Sequence, residues 1–166
     1  RQVYRRAGGG DRGVYLLVDK SGSMYGALGG VEKIAIAAAY AIAALKKFKN
    51  VVVRFFDAEV YDPVSDVERL VDVLTRVAAS GGTDITKAVE TAVEDAERRR
   101  LRGYVLAVVT DGEDDRLNPL AVREARAVFR DVVFVLLGSH KPPPHARAVR
   151  ISPNDLHLAG AASAVI

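Results

Sequence analysis

Three short segments of the sequence combine carboxylates with hydroxyls in a way that suits a metal ion. They are Asp19-Lys-Ser-Gly-Ser23, Ser80-Gly-Gly-Thr-Asp84 and Thr110-Asp-Gly-Glu-Asp-Asp115, and none contains His or Cys. A donor set of oxygen without nitrogen or sulfur is typical of sites for the hard cations Mg²⁺, Mn²⁺ and Ca²⁺. The sequence therefore predicts a hard-cation site, provided that the fold brings the three segments together.

The spacing of Asp19, Ser21 and Ser23 lets three side-chain oxygens converge. Alternate residues of an extended stretch point to the same side, and Gly22 permits a tight turn. Lys20 lies between these positions, so we expect its side chain to point away from the metal. Because the two hydroxyls are neutral, the cation would keep positive charge with which to attract an anionic oxygen from outside. This charge balance favours ligand capture over metal storage.

An alternation of strand-like and helix-like segments predicts how these loops are positioned. Continuous apolar runs predict buried strands, and apolar residues spaced three and four apart predict helices. The strands are expected at 13–18, 51–56, 104–110, 132–137 and 146–151, and the helices at 31–48, 67–77, 85–100, from Asn118 and from Pro153. This order predicts an α/β three-layer sandwich of mostly parallel strands with one antiparallel edge strand. Since parallel strands end at a common edge of the sheet, the oxygen-rich loops are expected to meet there.

Composition limits the alternatives. A chain of 166 residues that is 49% hydrophobic is long enough for one domain with a sizeable core. The absence of cysteine excludes disulfides, thiolate zinc sites and cysteine catalysis. The net charge of +3 resides in residues 1–12, predicted to be a basic N-terminal arm or linker end, whereas the domain at 13–166 carries 20 basic and 20 acidic residues. Neither nucleic-acid binding nor a membrane span is therefore expected.

The three segments, in this order, resemble the metal-ion-dependent adhesion site (MIDAS) of von Willebrand factor type A (VWA) domains. The residues that carry the resemblance are Asp19-Lys-Ser-Gly-Ser23, Gly82-Thr83 and Thr110-Asp111-Gly112. It implies an α/β/α sandwich with a Rossmann-like, mostly parallel, six-stranded sheet and one antiparallel edge strand. It also implies that Ser21, Ser23 and Thr83 bind the metal through hydroxyls, and that Asp19 and Asp111 hold it directly or through water.

The function that the resemblance implies is protein binding without catalysis. One divalent cation, Mg²⁺ in the first instance, would capture a Glu or Asp of a partner protein. A metal-dependent phosphate-ester hydrolase is the alternative, because it would use the same donors and because the acidic run 113–115 offers further carboxylates. A third interpretation makes the metal purely structural. The glycine-rich segment 8–13 precedes the first strand, so it does not predict a dinucleotide loop.

Some of the candidate residues also have a purely structural interpretation. Asp19 and Ser21 are common turn residues after a strand, and Thr83 or Asp84 suits a helix N-cap. Asp57 is expected to serve a hairpin, and Tyr25 either the core or the rim of the site. The lack of cysteine and the excess of 17 Arg over 7 Lys point to the cytoplasm of a prokaryote. The family resemblance then suggests an AAA-type ATPase as the partner.

Overall fold

The computed structural model describes residues 13–76, 82–112, 116–138 and 141–151, and it confirms the predicted α/β sandwich. The strands are β1 (Gly13–Asp19), β2 (Ala27–Leu28), β3 (Val31–Glu32), β4 (Asn50–Phe56), β5 (Tyr104–Thr110), β6 (Asp131–Leu137) and β7 (Arg147–Ile151). The helices are a 3₁₀ turn (Gly22–Tyr25), α1 (Lys33–Lys47), α2 (Val67–Arg76), α3 (Ile85–Arg99) and α4 (Pro119–Val128). The predicted basic arm, the acidic run 113–115 and the predicted last helix lie outside the described residues.

Five parallel strands form the central sheet in the order β4-β1-β5-β6-β7. Strand β1 pairs with β4 up to Asp19, which lies opposite Phe56, and with β5 up to Val18, which lies opposite Val109. The first crossover leads from β1 to β4, and the chain then returns to the other side of β1. The C-terminal ends of β1 and β5 therefore flank the point where the strand order reverses, which is where open α/β sheets bind ligands.

The β4 edge of the sheet differs from the prediction. We expected a sixth, antiparallel strand, but the antiparallel partners of β4 in the described ranges are two isolated bridges, Val53 with Val64 and Phe56 with Val60. Pro63 lies between them, and a proline has no amide hydrogen with which to continue a ladder. A separate antiparallel pair is formed by β2 and β3.

The β2–β3 pair also shifts the start of α1. The apolar pattern predicted a helix from residue 31, whereas α1 begins at Lys33. Gly29 and Gly30 both have positive φ, of 60° and 84°, and so form the turn between β2 and β3. This turn places Val31 and Glu32 in a strand before the helix begins.

Helices cover both faces of the sheet, as a three-layer sandwich requires. Along β1, Val14, Leu16 and Val18 pack with α1 and α2, while Tyr15 and Leu17 pack with α3 and α4. Burial on both faces explains why β1 has a continuous apolar sequence instead of an alternating one. Within the described part of the chain, no helix is both long enough and apolar enough to cross a membrane.

A buried carboxylate ties α3 to the sheet. Asp95 accepts hydrogen bonds from the Tyr15 hydroxyl, from Arg54 Nη1 at 2.8 Å and from Arg98 Nη2 at 2.8 Å. Burial and the hydrogen bond to Asp95 raise the pKa of Tyr15 well above its ordinary value, which keeps the phenol protonated as the donor. These bonds join α3 to β1 and β4, and α3 begins just after Thr83.

Candidate metal centre

Asp19 ends β1 and is fully buried. Its Oδ1 accepts a hydrogen bond from the Ser21 amide at 2.8 Å, and its Oδ2 accepts one from the Thr110 hydroxyl at 2.6 Å. The Thr110 hydroxyl in turn accepts a hydrogen bond from the Gly112 amide at 3.0 Å. Thr110 therefore joins Asp19 to the loop that carries Asp111. Thr110 belongs to the sequence motif, but residue type and spacing alone do not indicate this bridging role.

Ser21 and Ser23 converge, although by a different route from the one predicted. Their Oγ atoms lie 3.5 Å apart, with Ser21 buried and Ser23 half-buried. We expected the extended conformation to continue to Ser23. Asp19 and Ser21 are extended, but Ser23 lies within the 3₁₀ turn that follows them. The Met24 amide donates to the Ser21 carbonyl at 3.0 Å and so tightens this turn. The tighter rise of a 3₁₀ turn brings the second hydroxyl back to the first.

Asp111 follows the last residue of β5, the strand next to β1, and is 2% exposed. Its Oδ2 lies 3.1 Å from Nζ of Lys33, the first residue of α1. Gly112 has φ of 82°, which lets the chain turn sharply away after the carboxylate. The structure therefore brings two buried carboxylates and two hydroxyls to the ends of two adjacent strands.

Thr83 lies on the loop before α3 and is half-buried. The N-cap of α3 is Asp84, whose Oδ1 accepts a hydrogen bond from the Lys87 amide at 2.9 Å. Thr83 is therefore not the helix cap, so capping does not explain why this residue is a threonine. The Asp84 amide donates to the Asp57 carbonyl at 2.9 Å, and this bond ties the loop to the end of β4. Ligation of a metal by Thr83 stays a prediction.

A buried ion pair supports this loop from the β4 side. Lys20 and Asp57 are both fully buried, and Lys20 Nζ lies 3.6 Å from Asp57 Oδ2 and 5.1 Å from the centre of the Tyr61 ring. Asp57 also accepts hydrogen bonds from the Glu59 amide and the Tyr61 hydroxyl, each at 2.8 Å. Burial, followed by the hydrogen bond to Asp57, raises the pKa of Tyr61 to about 12. Lys20 thus reaches toward β4, and Asp57 serves a hairpin turn as expected.

Burial raises the pKa of Asp19 from its ordinary value of 3.8 to about 6. The hydrogen bonds from Ser21 and Thr110 lower this pKa, and the charge of Asp111 raises it. Two negative charges in a poorly solvated place favour a nearby cation. Within the described ranges no group of three or more His, Asp or Glu residues is placed to hold a metal ion, so the candidate donors here are two carboxylates with neutral hydroxyls. That donor set fits a hard cation.

The chain matches the family model described as "VWA domain containing CoxE-like protein" over residues 3–162. Because this match spans nearly the whole chain, the chain belongs to that family and is a VWA domain. Domains of this family commonly take part in metal-dependent interactions between proteins. A comparison with curated proteins finds no significant match.

Solved structures support the fold. The chain is similar to a conserved hypothetical protein, BatB, from Bacteroides thetaiotaomicron, with a TM-score of 0.66, 14% identity and coverage of 92% of this chain and 96% of that chain. An aerotolerance-related membrane protein from Bacteroides fragilis is similar with a TM-score of 0.63 and 15% identity, and the match covers 91% of this chain and 96% of that chain. Proximal thread matrix protein 1 from the mussel byssus, described with a zinc-occupied MIDAS motif, is similar with a TM-score of 0.58 and 13% identity. This match covers 89% of this chain and 43% of that chain. At these identities the similarity shows the fold alone.

The buried ion pair leads to a stability prediction. Replacing Asp57 with Ala leaves the Lys20 ammonium buried without this carboxylate, so we expect the free energy of unfolding to fall by about 3 kcal/mol. Urea denaturation followed by circular dichroism measures the change. Glu59→Ala, in the same turn but exposed, is the matched control, with an expected loss below about 1 kcal/mol. Adding Lys20→Met to Asp57→Ala should recover much of the loss. A single Asp57→Ala change as mild as the control would contradict this role.

The raised pKa of Asp19 leads to a pH prediction. A cation needs the carboxylate ionised, so protons compete with it below pH 6, and we expect Mn²⁺ to bind about ten-fold more weakly at pH 5 than at pH 7. Without a metal, in EDTA, the stability of the fold depends on pH in the opposite direction. The folded chain holds the Asp19 proton more tightly than the unfolded chain, so this group's contribution to stability is lost as the pH rises from about 4 to 6. Calorimetric titration at both pH values measures the affinity, and equal affinities would show that Asp19 does not couple to the metal.

Proposed function

We propose that this chain binds one divalent cation, Mg²⁺, and uses it to capture an acidic side chain of a partner protein. The proposed ligands are Asp19, Ser21, Ser23, Thr83 and Asp111. The main support is the pair of buried carboxylates at the ends of adjacent strands, next to two hydroxyls whose oxygens are 3.5 Å apart. A hard divalent cation is the ligand that such a group of oxygens suits best.

The charge balance supports capture of an acidic group. Two of the four donors brought together by β1 and β5 are neutral hydroxyls, so a cation that contacts the hydroxyls directly and a carboxylate through water would keep an attraction for a further carboxylate. Both oxygens of Asp19 already accept hydrogen bonds from Ser21 and Thr110, which supports contact with the metal through water. A Glu or Asp from outside would then bind directly to the metal.

The surface around Ser23 supports an open approach for the partner. Met24 is fully buried and belongs to the core, whereas the next residue, Tyr25, is 36% exposed, and Val31 is 41% exposed. These two apolar side chains belong to the segment between Ser23 and α1. We propose that they line the rim of the binding surface, where apolar contacts add to the bond between metal and carboxylate.

We further propose that the domain binds without catalysing a reaction and that it acts in the cytoplasm. An AAA-type ATPase is the partner class to test first, following the family resemblance. A pull-down with the immobilised chain in Mg²⁺ buffer, eluted with EDTA, tests both the interaction and its dependence on the metal.

The matched variants test the site. We expect the double change Ser21→Ala and Ser23→Ala to weaken partner capture in Mg²⁺ at least ten-fold, because the hydroxyl ligands are lost. Its melting temperature in EDTA should fall by less than about 5 °C, since the change removes only two hydroxyls, of which that of Ser21 is buried, and leaves the apolar core intact. Ser65→Ala, an exposed serine before α2, is the control and should leave capture unchanged.

Three outcomes would contradict the proposal. Equal capture in EDTA and in Mg²⁺ would show that the interaction does not need the metal. Mg²⁺-dependent turnover of a phosphate ester that Asp19→Ala or Asp111→Ala abolishes would favour a hydrolase. A large fall in melting temperature on chelation, with unchanged partner affinity, would make the metal structural.

A further inference from the structure

We propose that Lys33 is an internal competitor of the divalent cation: its ammonium holds Asp111 in the metal-free chain and must release that carboxylate when the cation binds. The inference rests on the proposed metal site. Lys33 Nζ lies 3.1 Å from Asp111 Oδ2, and the two side chains are 15% and 2% exposed. An ion pair this sheltered is screened by water and salt less than a surface pair.

The chain between the site and α1 positions this lysine. The 3₁₀ turn that carries Ser23 ends at Gly26, and the β2–β3 pair then reverses the direction of the chain. The Lys33 amide donates to the Gly26 carbonyl at 2.9 Å, which closes the segment. The aliphatic part of the Lys33 side chain lies against Gly26: a Cβ added to Gly26 would lie 3.7 Å from Cε of Lys33. The segment that carries a proposed hydroxyl ligand thus also delivers the ammonium to a proposed carboxylate ligand.

Helix energetics do not favour a lysine at this position. Positive charge is unfavourable at the N-terminus of a helix, where the dipole favours Asp or Glu. Lys33 nevertheless opens α1, directly after the N-cap residue Glu32, whose side chain makes no capping hydrogen bond, and the first turn itself contains no acidic residue. The contact with Asp111 therefore compensates an unfavourable position. An ammonium is a compact charge on a flexible stem, so it can leave the carboxylate without a change in the backbone.

Competition follows from the charges. A divalent cation bound next to Asp111 would repel an ammonium 3.1 Å from the same carboxylate. This repulsion favours release of the ammonium when the cation binds, and the affinity is then lowered by the strength of that pair. In return, the pair partly neutralises the buried carboxylates while no metal is bound. Lys33 would thus set the metal concentration at which the domain becomes able to capture its partner.

Calorimetric titration of the purified chain with Mn²⁺ and with Mg²⁺ tests this inference. We expect Lys33→Met and Lys33→Gln to bind either cation about ten-fold more tightly, corresponding to the loss of one sheltered ion pair from the metal-free state. Lys33→Arg keeps the positive charge and should stay within about two-fold of the parent. Lys46→Met, at the exposed C-terminal end of the same helix, is the matched control and should change nothing.

Thermal unfolding provides a second readout. In EDTA, Lys33→Met should melt at a lower temperature than the parent, and saturating Mg²⁺ should raise its melting temperature by more than it raises that of the parent. If the parent binds the cation and both Lys33→Met and Lys33→Gln bind it no more tightly, the competition is wrong while the metal site stands. Weaker binding by both variants would mean that Lys33 assists the metal, which also overturns the inference. If the parent binds neither cation, the proposed site itself fails.

Discussion

Negative charge held in the interior is the constraint on which the site depends. Asp19 and Asp111 lie at the ends of two adjacent parallel strands, and both are almost completely removed from water. A buried carboxylate is costly unless hydrogen bonds or a cation compensate it. The surrounding groups serve that need: the Ser21 amide and the Thr110 hydroxyl hold Asp19, and the Lys33 ammonium holds Asp111. The same need makes the place suitable for a divalent cation.

The end of β1 is flanked by a lysine on each side. Toward β4, Lys20 pairs with the buried Asp57, whose carbonyl accepts the amide that follows Thr83. Toward β5, Lys33 pairs with Asp111. The two pairs differ in accessibility, because Lys20 is fully buried and Lys33 keeps some exposure. The first pair suits a fixed support for the loops, and the second suits a contact that a cation from solvent can exchange.

Local chemistry explains which expectations held. Apolar runs were reliable for the core strands because burial on both faces requires uninterrupted apolar residues, as in β1 and β5. Features that depend on one backbone torsion or one cap were less reliable. For α3 the sequence offered both Thr83 and Asp84 as caps, and the structure selects Asp84. The glycine pair 29–30 delays α1 by two residues, and Pro63 leaves only bridges where an antiparallel strand was expected. In these cases several local backbone conformations have similar energies, and the packing of the whole domain selects one of them.

The sequence by itself determined the chemistry of the site and the type of fold. Its oxygen-only side chains predict a hard cation, and its periodicity specifies alternating strands and helices, since both depend on residue type and short-range spacing. Only the tertiary structure decided which distant groups meet. Thr110 binds Asp19 across 91 positions, and Lys33 binds Asp111 across 78. These contacts require β1 to lie beside β5 and α1 to begin over their ends, and strand order is set by the packing of the whole sheet.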